Sequence, residues 1–396
     1  MKRSEFIFGT AIATTGAVIL PNLLGCSKDE SEQIINQSPH FKYLEASGTH
    51  YEVGKTIGSY FAKEIAAAQR GLGDLMASIK GIVQLAPDVF YDPFYEAAQN
   101  LFPDYMEEIK GTADGAGQEM ETLFMTNIMM EIVYRYYELS GKRAVPFNSN
   151  LGCSSVAYAK NGQLFLAHNE DLFTSFINSM YVVKMAVPGK PEILCLSYPG
   201  LLPGLPPAMT EAGIVQSGND ICGLHIEPTV PMVFHFRSVL DAGSIQDAVD
   251  RAIIPQRART MTHNIGSFTE KRIISVEAAP TKHQAHEVDG FYVHTNHFIL
   301  PEMMDIVIDS ESMPSSLSRF DVLTALAEQN TVPDENVSNE LFTQFMSSHN
   351  GEFPPCVHNT HDSSTLAHAV FDFDAQNWKL LYSNPCLGNA RTFPMI

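Results

Sequence analysis

The chain has 396 residues, 45% of them hydrophobic, so it is long enough to bury one large core or two ordinary ones. Its formal net charge of -20 at pH 7 argues against nucleic acid as a partner, because phosphate contacts need a density of lysine and arginine that is missing here. The same charge opposes purely electrostatic adhesion to anionic lipid and is most simply explained as a solubilising acidic surface.

The N-terminus has the pattern of an export signal. Lys2 and Arg3 form a charged start, and the run from Phe6 to Leu24 is apolar. The segment Leu23-Leu24-Gly25-Cys26 resembles the lipobox of bacterial lipoproteins, in which the cysteine becomes the acylated mature N-terminus. We therefore expect a periplasmic or cell-surface bacterial lipoprotein attached to the membrane through Cys26.

Two alternatives concern the same segment. Arg3 to Ile7 weakly resembles a twin-arginine signal that lacks its second arginine, so general secretion and twin-arginine export both stay open. A retained membrane helix is less favoured, because Pro21 and Asn22 interrupt the apolar run. Residues 1–26 are thus predicted to be a signal peptide and residues 27–40 a polar tether.

Cysteine usage fits an exported protein. Besides Cys26 and one cysteine discussed below, four cysteines are available to form disulfides in an oxidising compartment: Cys195, Cys222, Cys356 and Cys386. They can pair in three ways, and the sequence does not choose among them. The sequence contains no CxxC pair and no HExxH motif, so it indicates neither a metal site nor a cofactor.

The first third is predicted to be mainly helical. A short strand at Phe41–Ala46 precedes a helical run through Ala68, and further helices are expected at Pro93–Ile109, interrupted at Pro103, and at Glu119–Glu138. Glycines between residues 111 and 117 are expected to separate these last two helices. The breakers from Gly141 to Leu151 predict an exposed linker.

Strands and turns dominate afterwards. A second hairpin is predicted at Met180–Val187 and Ile193–Tyr198, and an irregular proline-rich loop follows at residues 199–207. Later strands are expected at Arg272–Glu277, Phe291–Thr295, Leu366–Asp374 and, as the last one, Trp378–Tyr382. Helices are expected at Met232–Asp241, Ile245–Ile253, Ser316–Glu328 and Asn339–Met346. This order predicts an α+β fold with two stacked sheets covered by helices.

A hairpin directly after the linker is the centre of the sequence. Gly152-Cys153 opens its first strand, Asn161-Gly162 supplies the strongest short hairpin signal, and the second strand ends in the polar cluster from His168 to Asp171. Because a hairpin places the start of one strand beside the end of the other, Cys153 and Asp171 should lie close together. A thiol beside a carboxylate at one sheet end indicates an active site.

The dipeptide Gly152-Cys153 also permits self-cleavage. A thiol is a strong nucleophile near neutral pH, and glycine tolerates strained backbone that exposes its carbonyl group. An N-to-S acyl shift followed by hydrolysis would make Cys153 a new N-terminus, whose α-amine, with a reference pKa of about 8, is a suitable base for its own thiol. The alternative is an ordinary buried free cysteine.

These motifs together resemble the C45 peptidase family, which includes the fungal acyltransferase that makes penicillins. The resemblance rests on Gly152 to Ser155, the Asn-Gly turn and the segment Ala167 to Asp171. Other segments in matching order extend it over nearly the whole mature chain: Tyr51 to Gly58, Tyr105 to Gly117 with Asn127 and Glu131, Thr210 to Asn219, and His294 to His297. It implies an N-terminal nucleophile hydrolase with a four-layer αββα sandwich, related to bile salt hydrolases and penicillin V acylases.

The resemblance also implies roles for individual residues. Cys153 corresponds to the autoproteolytic and catalytic nucleophile, Asp171 to the carboxylate that positions its amine and thiol, and Asn296 to an oxyanion-hole donor. Asn219 is a second polar candidate, and Arg319 corresponds to a site arginine whose alternative is a surface ion pair. Residues 41–152 would then be the pre-cleavage segment and residues 153–396 the catalytic segment, together forming one domain over residues 41–396.

Other polar residues are less favoured as catalytic groups. His294 and His297 are expected to be structural, and Cys356 with His358 is expected to belong to a disulfide loop rather than to a nucleophile. The position before Asp171 is often aromatic in the family but is Glu170 here, which adds a negative charge and leaves the substrate open.

The sequence thus predicts a self-cleaving cysteine amidohydrolase or acyltransferase. It would act on a small-molecule amide or thioester through an acyl-enzyme on Cys153. A thioesterase or a bile-salt or penicillin V acylase type of hydrolase is the alternative within enzymes. A non-catalytic surface lipoprotein that keeps the scaffold is the alternative outside them, and it would remain uncut.

Overall fold

The structure, a computed structural model, describes residues 41–141, 152–308, 313–330, 337–358 and 363–396. The predicted signal peptide, the tether, Cys26 and residues 142–151 of the predicted linker lie outside this range. Among the described helices, none is both long enough and apolar enough to cross a membrane.

The first described segment begins with one strand, β1 (Lys42–Ser47), and continues with helices, as predicted. Their bounds are α1 His50–Tyr60, α2 Ala62–Gly71, α3 Gly73–Leu85, α4 Pro87–Phe90, α5 Asp92–Leu101, α6 Pro103–Ala116, α7 Met120–Asn127 and α8 Met129–Ser140.

Strands dominate the chain after Gly152. Their bounds are β2 Ser154–Lys160, β3 Gln163–Phe173, β4 Tyr181–Ala186, β5 Ile193–Ser197, β6 Ala208–Thr210, β7 Ile214–Asp220, β8 Met261–Ser267, β9 Arg272–Ala278, β10 His283–Glu287, β11 Gly290–His294, β12 Ser363–Asp372, β13 Asn377–Tyr382 and β14 Ala390–Pro394. Four α-helices are interspersed among the described residues of this part: α9 Met232–Val239, α10 Ile245–Ala252, α11 Met313–Gln329 and α12 Asn339–Met346.

The strands form two sheets. One has the order β1-β4-β5-β6-β7-β8-β9-β10, and the other has the order β11-β2-β3-β12-β13-β14. Within the described sheets, β1 beside β4 is the parallel pair and the remaining pairs are antiparallel. The sheets face each other, because Ser155 of β2 donates a hydrogen bond to Asn219 of β7 at 3.0 Å.

Helices cover both outer faces. On the six-stranded sheet, Val156 and Phe165 pack in one apolar cluster with Leu323 of α11 and Phe342 of α12. On the eight-stranded sheet, Ile214, Ile265 and Ile274 pack with Val239, at the end of α9, and with Ala248 of α10. Helix, sheet, sheet and helix thus form four layers, which confirms the predicted αββα class.

The predicted central hairpin is present in the expected register. Ser154 pairs with Asn169, and the pairing runs on to Lys160 beside Gln163. Asn161 and Gly162 have φ angles of 53° and 83°, as a two-residue turn matched to the strand twist requires. The hairpin therefore sets the start of β2 beside the polar end of β3.

Of the glycines from 111 to 117, only Gly117 separates two helices, so the prediction is wrong for Gly111 and Gly115, which lie inside α6. Helix α6 runs through to Ala116 and ends only at Gly117, which has a φ of 64°. Four glycines lie where α6 crosses α1, and a Cβ added at any of them would be 2.1–2.2 Å from a carbonyl oxygen of the other helix: Gly54, Gly58, Gly111 and Gly115. The missing side chains let the two backbones touch, so these glycines serve packing within the helices.

Two further boundaries differ from the prediction. The expected helix Glu119–Glu138 is two helices that meet at Ile128, whose φ of -114° and ψ of 15° break the helical path. Trp378–Tyr382 is not the last strand, because β14 pairs along β13. No glycine or proline marks the break at Ile128, whereas Gly388, with a φ of 75°, precedes β14 by two residues.

Candidate active site

Cys153 lies at the entrance to β2, in the position that the hairpin predicts. Its side chain is 8% exposed, and its thiol donates a hydrogen bond to Glu170 Oε1 at 3.6 Å. Burial raises the pKa of the Cys153 thiol well above its usual value, and the negative charges of Glu170 and Asp171 raise it further. A hydrogen bond from the Asp171 backbone to the sulfur acts in the opposite direction. The thiol therefore needs a proton acceptor in order to react.

Asp171 stands beside this thiol and is buried. Thr365 Oγ1 donates a hydrogen bond to its Oδ1 at 2.5 Å, whereas its Oδ2 has no hydrogen-bond partner among the described residues. Burial raises the pKa of Asp171 to about 7, although Arg319 and the Thr365 hydroxyl lower it. One buried carboxylate oxygen is thus free to accept a donor next to Cys153.

Gly152 fits closely against Asn296. Its φ of 144° disfavours any residue with a side chain, and a Cβ there would lie 2.3 Å from Asn296 Oδ1 and 2.8 Å from Arg319 Nη2. The backbone before Cys153 is therefore held in a conformation that only glycine accommodates easily.

Asn296 and Arg319 form one buried hydrogen-bonded unit around this peptide. Arg319 Nη1 donates to the Cys153 carbonyl oxygen at 2.7 Å and to Ser154 Oγ at 2.9 Å, and Nη2 donates to Asn296 Oδ1 at 2.8 Å. Because a guanidinium cannot accept, this contact fixes the Asn296 amide with Nδ2 pointing away from Arg319. Nδ2 donates to the Asp220 carbonyl oxygen at 2.7 Å, which leaves its second N–H available.

Arg319 is fully buried, so its interpretation as a surface ion pair is wrong. It lies on α11 and reaches the start of β2, which brings together residues far apart in the chain. Burial lowers the pKa of the guanidinium, and Asp171 and Cys153 counteract that effect. An arginine nevertheless stays charged in proteins, so it supplies a fixed positive charge beside Cys153.

Glu170 begins a chain of buried polar contacts that sequence reasoning did not assign. Tyr198 donates to its Oε1 at 2.7 Å, and His168 Nε2 lies 3.1 Å from its Oε2. His168 Nδ1 in turn lies 2.9 Å from Ser155 Oγ, and Ser155 contacts Asn219. The alternation of side chains along β3 puts His168 and Glu170 on one face, a signal that the polar cluster already contained. Tyr198, just after β5, has no comparable signal.

Asn219 lies between the sheets rather than in the pocket wall. Its Oδ1 accepts from Ser155 and from Asn264 Nδ2, each at 3.0 Å. Its Nδ2 is buried and has no partner among the described residues. The structure thus brings Cys153, Asp171, Asn296 and Arg319 together, whereas Asn219 is joined to Ser155 and does not line the pocket. The role of Asn219 as a second oxyanion donor stays a prediction.

A pocket of about 110 Å³ opens onto the thiol. Cys153, Glu170, Asp171 and Asn296 form part of its wall, and the remainder is largely apolar, with Met129, Met130, Phe173, Phe176 and Leu201 among the lining residues. Such a wall suits an acyl or aryl group placed with its carbonyl carbon at Cys153.

One buried arginine interrupts the apolar wall. Arg259 Nη2 donates to Asp220 Oδ1 at 2.5 Å, and its guanidinium lies 4.8 Å from the ring centre of Tyr134. Its Nε and Nη1 have no hydrogen-bond partner among the described residues. Of the three tyrosines at 134, 136 and 137, Tyr134 is the one that contributes to the pocket wall.

Helices of the first segment hold the opposite side of the pocket. Asn127 Nδ2 donates to the Gly200 carbonyl oxygen at 3.0 Å, and its Oδ1 accepts from the Leu202 backbone at 2.8 Å. Glu131 Oε1 accepts from the Met232 backbone at 2.9 Å. Asn127 and Glu131 thus fasten the proline-rich loop and α9 to the helices of the first segment.

His294 and His297 have structural contacts. His294 Nε2 lies 2.9 Å from Glu277 Oε1, and His297 Nδ1 lies 2.8 Å from Ser316 Oγ. Burial lowers the pKa of His297 to about 4, which makes it a weak base. Ser316 also accepts from the Asn296 backbone at 2.8 Å, so these residues support the Asn296 segment.

The cysteines and metal-capable clusters differ from the sequence expectation. The five cysteines in the described residues are free. Two groups of described residues have donor atoms within 4.8 Å of one another: Cys153, His168 and Glu170 in the pocket, and His349, Cys356, His358 and Cys386 elsewhere. The first group is already joined by the hydrogen bonds given above, and the second is considered below.

Comparison with known proteins points to one family. A family model described as acyl-coenzyme A:6-aminopenicillanic acid acyl-transferase matches residues 158–386, which is more than half of the chain. The matched segment contains Asp171, Asn219, Asn296 and Arg319 and begins shortly after Cys153.

Two individual proteins with similar sequences are a hydrolase and an acyltransferase by name. The chain is 26% identical over 279 residues to beta-alanyl-dopamine/carcinine hydrolase of Drosophila melanogaster, covering 65% of this chain and 70% of that protein. It is 26% identical over 263 residues to the 40 kDa form of acyl-coenzyme A:6-aminopenicillanic-acid-acyltransferase of Emericella nidulans, with the same coverage of 65% and 70%. A solved structure of a mutant conjugated bile acid hydrolase from Clostridium perfringens has 14% identity and a TM-score of 0.43, covering 61% of this chain and 92% of that chain.

Proposed function

This chain belongs to the acyl-coenzyme A:6-aminopenicillanic acid acyl-transferase family, and on that premise we propose that it is a self-cleaving cysteine amide hydrolase or acyltransferase. The observation that carries the proposal is the surroundings of Cys153. Its thiol faces an apolar pocket, follows a peptide that requires glycine, and stands beside an Asp171 oxygen that lacks a partner.

The first proposed reaction is cleavage between Gly152 and Cys153. The Cys153 sulfur attacks the Gly152 carbonyl carbon, the peptide C–N bond breaks, and the thiol proton ends on the released nitrogen. Water then hydrolyses the resulting thioester, which leaves a carboxyl group on Gly152 and a free thiol and α-amine on Cys153. Glu170 is the proposed proton acceptor of this step, because it already accepts the thiol hydrogen bond and no α-amine exists before the cut.

The second proposed reaction is turnover of an external substrate. The new α-amine of Cys153 takes the thiol proton, and the free Asp171 oxygen holds the resulting ammonium group. The thiolate attacks the substrate carbonyl carbon, and the available N–H of Asn296 stabilises the negative oxygen of the tetrahedral intermediate. The leaving amine or thiol receives the proton, and water or an acceptor amine then removes the acyl group from sulfur.

The pocket supports an apolar acyl or aryl group as the part that is transferred. The two unpaired nitrogens of Arg259 favour a substrate that also carries a hydrogen-bond acceptor or an acidic group. Amides such as those of beta-alanine, acyl-coenzyme A with an amine acceptor, and conjugated bile salts form a suitable substrate panel, because these are the chemistries named for the proteins that this chain resembles.

Export and lipid attachment remain part of the proposal and rest on the sequence alone. The lipobox-like segment ending at Cys26 would fix the protein to a membrane, and residues 27–40 would hold the enzyme away from the lipid surface. The substrate would then be met outside the cytoplasm.

The deciding experiment is intact-mass measurement of the purified protein. We expect two fragments divided between Gly152 and Cys153, and a single chain for Cys153→Ala. A wild-type chain that stays uncut and fails to form an acyl-enzyme with any member of the panel would refute the proposal and would favour a binding protein on the same scaffold.

A further inference from the structure

A second cluster of reactive side chains lies outside the proposed active site. His349 follows α12, Cys356 and His358 precede β12, and Cys386 lies in the short turn Pro385–Leu387 after β13. All four donor atoms are within 4.8 Å of one another. Three separate segments of the chain therefore converge on one point with two sulfurs and two imidazole nitrogens.

Four of the separations between these atoms are close to those of ligands around a single tetrahedral ion, and the contacts of His358 Nε2 with the Cys386 sulfur and with His349 Nε2 are somewhat shorter. The two sulfurs are 3.8 Å apart, the Cys356 and Cys386 sulfurs are 3.6 Å and 3.2 Å from His358 Nε2, and the two Nε2 atoms are 3.0 Å apart. Zinc with Zn–S bonds of about 2.3 Å and Zn–N bonds of about 2.0–2.1 Å separates two sulfurs by about 3.8 Å, sulfur from nitrogen by about 3.6 Å, and two nitrogens by about 3.3 Å.

We propose that His349, Cys356, His358 and Cys386 bind one zinc ion as a structural site. Two thiolates and two imidazoles in tetrahedral array are the donor set that selects zinc. Four protein ligands complete the coordination sphere, so the ion has no open position for substrate. On binding, the two thiols lose their protons to solvent and both imidazoles bind through Nε2 in the neutral form.

A neighbouring side chain supports one of the sulfurs. Asn384 Nδ2 lies 3.5 Å from the Cys356 sulfur and 2.6 Å from the Val357 carbonyl oxygen. An N–H group aimed at a ligating sulfur is the kind of outer contact that orients metal ligands. Asn384 thus also holds the loop that carries Cys356 and His358.

The proposed zinc site is also next to Thr365, the residue that donates a hydrogen bond to Asp171. Val357 lies between two of the ligands, its backbone N–H donates to Thr365 Oγ1, and its carbonyl oxygen accepts from the Thr365 backbone, each at 2.9 Å. Thr365 Oγ1 is the group that donates to Asp171. A bound ion would therefore fix the loop that holds this threonine, whether or not the proposed reactions take place.

A disulfide between Cys356 and Cys386 is the competing arrangement. It requires a sulfur–sulfur distance of about 2.05 Å in place of the observed 3.8 Å, and it would leave two histidines in contact with each other without a shared ligand. Zinc accounts for all four side chains, so we favour it.

The test is metal analysis of the full-length protein purified without chelator. We expect one zinc per chain by plasma mass spectrometry, two thiols that become reactive only after 1,10-phenanthroline, and a melting temperature that falls on zinc removal and recovers when Zn²⁺ alone is added back. Replacement by Co²⁺ should give the visible absorption of a tetrahedral, thiolate-bound ion. Cys386→Ser and His349→Ala should each lose the zinc, whereas Cys195→Ala and His283→Ala, which change residues of the same types elsewhere, should keep it.

Two results would overturn the proposal. A metal-free protein whose non-reduced mass is lower by two hydrogens, with the missing thiols at Cys356 and Cys386, would establish the disulfide. A metal-free protein with both thiols free and no melting shift on adding Zn²⁺ would show that the cluster binds nothing. Either result leaves cleavage at Gly152 unaffected, so the two proposals fail separately.

Discussion

Replacing Gly152 by alanine should block self-cleavage, because the backbone at this position has no room for a side chain. The added Cβ would lie 2.3 Å from Asn296 Oδ1 and 2.8 Å from Arg319 Nη2, at a φ of 144°. Asn296 cannot easily move aside, since it is hydrogen-bonded to Arg319, to the Asp220 carbonyl oxygen and to Ser316. The scissile peptide must shift instead.

Two effects set the expected magnitude. A normal carbon–oxygen contact requires a displacement of roughly 1 Å, and a misplacement of that size costs about 10²-fold in rate. The unfavourable φ adds strain of about 1–3 kcal/mol, which further reduces the population of the reactive conformation. Cleavage should therefore slow by at least about 10²-fold, with most of the effect coming from the contact with Asn296.

The assay follows the fraction of cut chain over time by intact mass, on samples matched for folding by their melting temperatures. Gly162→Ala is the control, since Gly162 also has a positive φ of 83° but has open space around its Cα. The double variant Gly152→Ala/Asn296→Ala removes one side of the clash and should recover part of the cleavage rate. Wild-type cleavage by Gly152→Ala would refute the argument.

Four further predictions concern the same site and the N-terminus. Asn296→Ala should lower turnover by about 10²–10³-fold while fragments still form, and near wild-type turnover on an acyl donor would contradict the oxyanion role. The Asp171 carboxylate is proposed to position Cys153 before the cut as well as after it, and burial raises the pKa of Asp171 to about 7, so precursor cleavage should fall as the pH drops below about 7 and this carboxyl becomes protonated. After the cut, the positive charge of the Cys153 ammonium group should lower the pKa of Asp171, so the acid limb of turnover should lie at lower pH than that of cleavage. Both rates would be followed from about pH 5 to 9, and a flat profile would contradict this assignment. Asp171→Asn should lose cleavage and turnover together, and a variant that still does both would exclude the positioning role. Cys26→Ser should release the protein from membranes or stall its processing, whereas a wild type found wholly in the soluble fraction would argue against an anchor.

Local chemistry accounts for the parts of the fold that the sequence predicted. The Asn161-Gly162 turn determines its own register, and that register, continued one residue beyond the Ser154–Asn169 pair, places Cys153 across from Glu170 and next to Asp171. Helix α12 begins at a serine cap and was predicted at its true bounds. In contrast, β10 has mostly exposed residues on an edge of its sheet, so no alternation of apolar residues reveals it.

In the candidate active site and the proposed zinc site, too, some contacts could be predicted from the sequence and others could not. The contact between Arg319 and the Cys153 carbonyl joins residues 166 positions apart, and only the family resemblance indicated it. The four residues of the proposed zinc site come from three segments, and only Cys356 and His358 are close in the sequence, so the convergence of all four becomes visible only in the folded chain. The charge of Glu170 was noticed in the sequence, but its contact with the thiol depends on strand geometry.

The position of β1 determines how the two fragments would stay associated after a cut at Gly152. This strand belongs to the first segment, yet it pairs in parallel with β4 inside a sheet of the second segment, and Phe61 of the first segment stacks on Tyr181 with ring centres 3.7 Å apart. A cut at Gly152 would therefore leave two chains that share one sheet and one core, and that separate only by unfolding.

Before the cut, such a molecule refolds as a single chain. Afterwards two fragments must find each other, so recovery from heat or denaturant depends on their concentration. The uncut Cys153→Ala protein should regain its fold on dilution, whereas the mature enzyme should recover poorly when dilute. Cleavage would thus turn refolding from a reaction of one chain into an encounter of two, which becomes slower as the protein is diluted.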